Sequence, residues 1–190
     1  LSITGGTQAS TYAISGGYLN QKGIAVGSGY KRLTLRGNTD AQVKKWLKAA
    51  ISFSLTDSKQ EVGANNNLIM NALESQPSVA VKSADGSYDG PDDVWMPVNA
   101  IALANMRENF NKKMNFRVSG SLEATLMKGL TLKTELSADY NLNKYYYYEP
   151  DYKFGVLTNS TRTGKWTKTD TKYWSWRNIL TYANTFDDVH

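Results

Sequence analysis

The sequence has no cysteine, and its only histidine, His190, is the last of its 190 residues. Disulfide bridges and thiolate metal sites are therefore excluded, and catalysis or metal binding that relies on histidine is not expected. The chain also lacks any apolar run near the roughly 18 residues that a membrane-spanning helix requires. Its mean hydropathy of −0.49 is that of a polar chain. A membrane-spanning β-barrel stays compatible with this composition, because barrel strands carry a much weaker apolar signal than helices.

The charges indicate neither a nucleic-acid interface nor an enzyme. The net charge of +5 comes from bases spread along the chain, which is typical of a solvated polar face. No nucleophile, base and orienting group can be assembled without histidine or cysteine, and paired carboxylates such as Asp92 and Asp93 stand in a turn-rich segment. A glycosidase built from two acids far apart in the sequence stays compatible with these residues. We therefore expect no enzymatic activity, no cofactor, no bound metal and no nucleic-acid partner.

The central feature of the chain is a pair of stretches in which apolar and polar residues alternate, at 114–126 and 130–142. A period of two over this length predicts two antiparallel strands. Both stretches exceed the about 9 to 11 residues that a transmembrane strand needs. Strand length alone also fits one sheet of a soluble sandwich, so the flanking sequence has to decide between the two architectures.

The register of this hairpin follows from its faces, because directly opposed residues of an antiparallel pair point to the same side. A three-residue loop at 127–129, with Gly129 in the left-handed position, keeps the two apolar faces together. It predicts one apolar pair and two pairs of opposite charge: Leu126 with Leu130, Arg117 with Asp139, and Glu123 with Lys133. Each charge pair should contribute roughly 0.2 to 1 kcal/mol.

The two faces of the predicted sheet would meet different surroundings in a barrel. The apolar face should contact lipid, and the polar face should line the lumen. The residues expected to face lipid are Ile51, Phe53, Phe116, Leu122, Leu132 and Leu136. The residues expected to face the lumen are Arg117, Glu123, Lys133 and Asp139.

Further alternation predicts strands at 10–19, 31–39, 47–56 and 172–186, besides the end of a strand at 1–6. The predicted connections are alternately short and long: 5–8, 20–30, 40–46, 57–113, 127–129 and 149–170. Short periplasmic turns and longer extracellular loops are typical of outer-membrane barrels. This orientation places Tyr145, Tyr146, Tyr147, Tyr148, Tyr173, Trp174 and Trp176 near the outer rim and Trp46 near the periplasmic rim. Because the smallest such barrels have about eight strands, we expect the chain to be part of a larger barrel.

The longest predicted connection, at 57–113, is too long for an ordinary compact domain. Short helices are expected at 66–75, before Pro77, and at 98–109, after Pro97. Between them, the acidic segment at 85–93 fits turn chemistry better than a calcium site, because the spacing of its acids does not match a calcium-binding loop. The exposed recognition residues expected in this loop are Tyr88, Asp89 and Trp95.

Several segments resemble the SusC/RagA family of TonB-dependent outer-membrane importers. They are LSITGGT at 1–7, SGGYLNQKGI at 15–24, YKRLTLRGN at 30–38, VKKWLK at 43–48, DGSY at 85–88, KGL at 128–130 and LTYANTF at 180–186. The resemblance implies a barrel of about 22 strands filled by a plug. It also implies a lipid-anchored SusD-like partner, energy from TonB, and import of glycan oligosaccharides or peptides. The chain would then be part of the barrel, with the plug, the TonB box and most strands elsewhere.

The alternative interpretation is a soluble β-rich carbohydrate-binding module. It would explain the many aromatic residues, but it does not explain the alternating loop lengths. The resemblance does not fix substrate-contacting residues at particular positions.

Overall fold

The computed structural model describes residues 1–63 and 66–184, most of which form one antiparallel sheet. Within this sheet each strand pairs with the strand that follows it in sequence order, which confirms the all-β, up-and-down prediction. The seven strands of the sheet are β1 (Ser2–Gly6), β2 (Ser10–Lys22), β3 (Gly29–Lys44), β4 (Leu47–Glu61), β5 (Glu108–Met127), β6 (Leu130–Glu149) and β9 (Thr163–Tyr182). Two helices, α1 (Asn66–Glu74) and α2 (Ala100–Met106), and a small hairpin of β7 (Tyr152–Phe154) and β8 (Leu157–Asn159), lie in the long connections.

The strands are longer than predicted, and β9 departs most from the prediction because it begins at Thr163 rather than at residue 172. In residues 163–171 one face carries threonine and Lys165, and the other carries Gly164, Trp166, Lys168 and Asp170, so no apolar face marks them as a strand. Trp174 and Trp176 consequently lie beside Ala138 and Leu136, in the middle of the strand. Their predicted position near the outer rim, with that of Tyr173, is wrong. The predicted strand end at residue 186 lies outside the described residues.

The register of the β5–β6 hairpin is confirmed for its charged residues, with Arg117 opposite Asp139 and Glu123 opposite Lys133. Gly129 has a φ of +81°, the left-handed conformation that was expected. The loop itself differs from the prediction, because Met127 pairs with Leu130 and the register shifts between residues 125 and 127. The extra residue is thus taken up as a bulge, and the predicted pairing of Leu126 with Leu130 is wrong.

One face of the sheet is apolar and uncovered. Leu136 is 58% exposed and Trp176 is 66% exposed, although both belong to the apolar face. Among the described residues of the seven strands, only Gly37 is buried. A soluble sandwich would cover such a face with a second sheet, because monomeric proteins rarely leave a continuous apolar surface over several strands exposed.

The buried core lies outside the sheet, in the long connections. It joins α1, α2 and the β7–β8 hairpin through Leu68, Ala100, Ala102, Leu103, Ala104 and Phe154. Both helices form close to where they were expected, although α2 is shorter than 98–109. Neither described helix has the length or apolar content required to cross a membrane. The connections 62–107 and 150–162 therefore pack into one unit, which we call the loop cap.

Candidate functional site

The charged side chains of the polar face form separate ion pairs around the β5–β6 hairpin. The predicted contact between Arg117 and Asp139 is present. The predicted contact between Glu123 and Lys133 is not formed, because each has another partner nearby. Lys48 Nζ on β4 lies 3.9 Å from Glu123 Oε1, and Lys133 Nζ lies 3.6 Å from Glu135 Oε2. Considering the hairpin alone could not reveal Lys48 as a partner, since β4 was not yet placed against β5.

Serine hydroxyl groups also lie on the polar face and contact one another across neighbouring strands. The Oγ atoms of Ser52 and Ser119 lie 2.7 Å apart, as do those of Ser137 and Ser175. These four serines fall in one cross-strand row. The face can thus offer many hydrogen bonds to a polar solute or to another polar protein surface.

The three recognition candidates in the long loop occupy different surroundings. Tyr88 is half-buried, with its ring edge-on to Phe154 at 6.2 Å between centroids, so the prediction that it is exposed is wrong. Asp89 is also half-buried, so its predicted exposure is wrong as well, and its carbonyl oxygen accepts a hydrogen bond from Asn99 Nδ2 at 2.8 Å. Trp95 is 91% exposed, and its backbone N–H donates to Asp93 Oδ1 at 3.0 Å. Of the three, only Trp95 has an almost fully exposed side chain.

The acidic segment at 85–93 uses its carboxylates in turns. Asp85 Oδ1 accepts hydrogen bonds from the backbone N–H and the hydroxyl of Ser87, at 2.9 Å and 2.7 Å. These bonds hold the pKa of Asp85 below its usual range. Across 1–63 and 66–184, no three acidic or histidine side chains are grouped so that they could hold a metal. The observed contacts are those of the turn chemistry expected from the sequence.

The two connections of the loop cap meet where Gly90 and Pro91 face Phe154 and Gly155. The backbone N–H of Val156 donates to the Pro91 carbonyl at 3.0 Å. A Cβ atom on Gly155 would lie 2.1 Å from that same oxygen, and Gly155 also has a φ of +57°. Only glycine at position 155 therefore allows the two connections to come this close. No sequence signal linked these two loops, because they are far apart along the chain.

The loop cap carries an apolar groove of about 320 Å³ between α1 and α2. Its walls include Ala72, Pro77, Val79, Val81, Met96 and Ile101. Val94 and Trp95 are exposed apolar residues of the same loop. An apolar groove beside exposed aromatic surface is typical of a binding surface.

An ion pair joins the base of the loop cap to the top of the sheet. Arg107 Nε lies 2.6 Å from Glu149 Oε2, and the two side chains are only 16% and 14% exposed. The Tyr147 hydroxyl donates a hydrogen bond to the same carboxylate. Burial opposes ionisation of Glu149, but the Arg107 guanidinium beside it and the hydrogen bond from Tyr147 hold its pKa below the usual range. Burial and the bond to Glu149 raise the pKa of Tyr147 to about 12.

We expect Glu149→Gln to loosen the loop cap at neutral pH by about 1 to 3 kcal/mol, because Arg107 loses its charged partner. The folded pKa of Glu149 lies below the unfolded value. Its contribution is therefore fully present above the unfolded pKa and is lost as the pH falls through the folded pKa. Hydrogen–deuterium exchange of peptides covering 150–162, corrected for intrinsic exchange, should show this pH dependence in the wild type only. Equal exchange in both proteins at pH 7 would contradict the role of this pair.

Comparisons with known proteins identify relatives of this arrangement. No family model matches the chain. The TonB-dependent receptors P39 and P26 of Formosa agariphila are 28% and 26% identical to it, each over the whole chain. Solved structures of the RagAB peptide importer in its closed-closed and open-open states align over 98% of the chain. Their TM-scores are 0.70 and 0.72, with 21% and 22% identity, so the fold is shared.

These matches confirm the resemblance to the SusC/RagA family that the sequence segments indicate, and they confirm that the sheet is a barrel-type segment. The chain spans 18% and 19% of the two Formosa receptors and 22% of the aligned importer chains. The similarity therefore concerns one part of a longer protein.

Proposed function

We propose that this chain, over residues 1–190, is part of the barrel wall and outer surface of a TonB-dependent nutrient importer in the bacterial outer membrane. The observation that carries the proposal is the uncovered apolar face of a seven-stranded meander whose connections are alternately short and long. Lipid would cover that face in a barrel. Further strands would pair with the free edges of β1 and β9, because an open edge exposes unpaired backbone groups.

The proposed cargo is a glycan oligosaccharide or a peptide, taken up with a SusD-like surface lipoprotein. Support comes from the relatives named TonB-dependent receptor and from the RagAB structures, whose name specifies a peptide importer. TonB would act through other parts of the longer protein. The loop cap, with its apolar groove and exposed Trp95, lies at the end of the sheet where a surface partner or a substrate would arrive.

The uncovered face also argues against the soluble carbohydrate-binding module. Such a module would need to bury Leu136 and Trp176, which are mostly exposed here. The relatives are receptors rather than enzymes, which agrees with a role in transport.

The test is deletion of the full-length gene in its own bacterium, followed by growth on defined oligosaccharide and peptide sources. We expect growth to be lost on one class of nutrient and restored by the wild-type gene. Complementation with Trp95→Ala should lower uptake or the amount of co-purified lipoprotein severalfold, because an exposed aromatic anchor is removed. Trp46→Ala, which removes an aromatic side chain from a turn at the opposite end of the sheet, is the matched control.

Unchanged growth on every oligosaccharide and peptide source would contradict the importer assignment. Uptake and lipoprotein recovery that stay equal in the Trp95 and Trp46 variants would remove Trp95 from the recognition surface without affecting the assignment itself.

A further inference from the structure

Five lysines form one cross-strand row over five neighbouring strands of the sheet. The observed register places opposite one another Lys31 and Lys59, Lys59 and Lys112, Lys112 and Lys144, and Lys144 and Lys168. Directly opposed residues have Cβ atoms about 4.5 to 5.5 Å apart, and like charges in that position are destabilising. An anionic partner would offset the repulsion that Glu61, beside Lys59 and Lys31, does not cancel.

The sheet itself neutralises little of this charge. Lys59 Nζ lies 2.7 Å from Glu61 Oε1, and Lys59 and Lys112 share the ring of Phe110, at 4.9 Å and 5.4 Å from its centroid. Within the described part of the chain, no carboxylate lies within 4 Å of the four other lysines. The aspartates of the adjacent row on the same face, Asp57 and Asp170, make no ion pair with them.

On β5 and β6 the row belongs to the apolar face and lies just beyond its apolar band, whereas on the same face β4 carries Asp57 and β9 carries Asp170 and Lys172 next to the row. Lys112 is two residues from Met114 and four from Phe116, so all three side chains are on the same side of β5. From Leu132 to Leu142, β6 rises about 34 Å, or about 26 Å along the membrane normal at a strand tilt near 40°. This matches the apolar band of about 25 Å in such barrels. The lysines follow at the level of the lipid headgroups.

An aromatic cluster stands one row farther out on the same face. The rings of Phe110 and Tyr146 are stacked at 5.0 Å, and Trp166 meets Tyr146 edge-on at 6.5 Å. Trp166 is 72% exposed. Going outward, a molecule lying on this face would meet an apolar band, then a row of cations, then aromatic rings on which sugars can pack.

We propose that the lysine row binds the phosphates of a phosphorylated glycolipid in the outer leaflet, with its acyl chains on the apolar band and its sugars against the Trp166 cluster. The proposal rests on the proposed function, since it requires this face to lie in the outer membrane. Ammonium groups bind phosphate oxygens as point charges. The aromatic rings beyond the row favour a glycolipid over a simple phospholipid.

The test uses the full-length protein purified from outer membranes and exchanged into detergent with bis-phosphorylated lipid A. Native mass spectrometry should detect retained lipid A on the wild type, and much less when the lipid A has been dephosphorylated. Lys112→Gln combined with Lys144→Gln should reduce retention by about tenfold or more, since each lysine near an anionic surface contributes roughly a fivefold effect. The variant with Lys112→Arg and Lys144→Arg keeps both positive charges and should retain lipid A like the wild type.

The matched control is Lys113→Gln with Lys165→Gln, which removes two lysines from the polar face of β5 and β9. It should leave retention unchanged. Equal retention in the Lys112/Lys144 and Lys113/Lys165 variants, or equal retention of dephosphorylated lipid A, would overturn the proposal. Binding of inorganic phosphate with the same affinity would overturn the lipid assignment.

Membrane fractionation and nutrient uptake of the wild type distinguish a failure of the lipid A proposal from a failure of the proposed import function. A wild type that inserts and imports, but does not discriminate between the lipids, overturns this proposal alone. A wild type that is absent from the outer membrane contradicts the proposed function.

Discussion

Leu136→Arg is expected to abolish accumulation of the full-length protein in the outer membrane, whereas Ser137→Arg should accumulate nearly normally. Leu136 lies on the apolar face in the middle of β6, opposite Gly120 and Trp176. An arginine on the lipid face near the bilayer midplane costs about 2 to 4 kcal/mol. Ser137 is on the polar face, where its hydroxyl contacts that of Ser175. An arginine there would remain in a hydrated lumen.

The measurement is the amount of heat-modifiable, folded protein in isolated outer membranes. The two variants add the same side chain to adjacent residues, so general damage to β6 should affect both equally. Equal loss in both variants, or loss only in Ser137→Arg, would contradict the assignment of the faces.

Gly155→Ala is expected to separate the two connections of the loop cap. Its new Cβ would meet the Pro91 carbonyl at 2.1 Å, and alanine at a φ of +57° adds roughly 1 to 2 kcal/mol of backbone strain. The hydrogen bond from Val156 to Pro91 would be lost with the close approach. The buried side chain of Phe154 and the α2 residues against which it packs should then become accessible.

Limited trypsin digestion of the loop cap should accelerate by about tenfold or more in Gly155→Ala, while insertion of the barrel stays normal. Gly86→Ala is the matched control, because Gly86 also has a positive φ, of +86°, but a Cβ there would have no atom within 4 Å. The Gly86→Ala variant therefore has the backbone strain of a positive φ but no steric clash of the new Cβ atom. Similar digestion rates in the two variants would show that the contact between the loops does not hold the cap together.

The sheet could be predicted wherever apolar and polar residues alternate. At 114–142 the alternation excluded a one-residue shift, which would cross the two faces, and the two charge pairs excluded a two-residue shift, so Arg117 was correctly placed opposite Asp139. The same reasoning failed at 163–171, where both faces are largely polar and Trp166 is the only large apolar side chain. Partners that depend on a third strand, such as Lys48 for Glu123, are also invisible from one hairpin.

The loop cap could be located from the sequence but not assembled. Its helices were predictable from Pro77 and Pro97, which limit where the helices can begin and end. Its core was not, because packing Phe154 against α1 and α2 joins segments far apart in the chain. For the same reason Tyr88 looked exposed, although it lies against Phe154. The lysine row could not be predicted either, because it becomes visible only when the register of five strands is known.

The most direct test of the account is a spin-label scan of 130–143 in the full-length protein, reconstituted in lipid bilayers. The chain itself contains no cysteine, and each position is labelled through an introduced one after any cysteine elsewhere in the full-length protein has been replaced. The account predicts that accessibility to oxygen alternates with a period of two, with maxima at Leu132, Leu136 and Ala138. Accessibility to a water-soluble nickel reagent should peak at the intervening odd positions. A scan without this period, or with oxygen maxima at the odd positions, would contradict the membrane-barrel assignment.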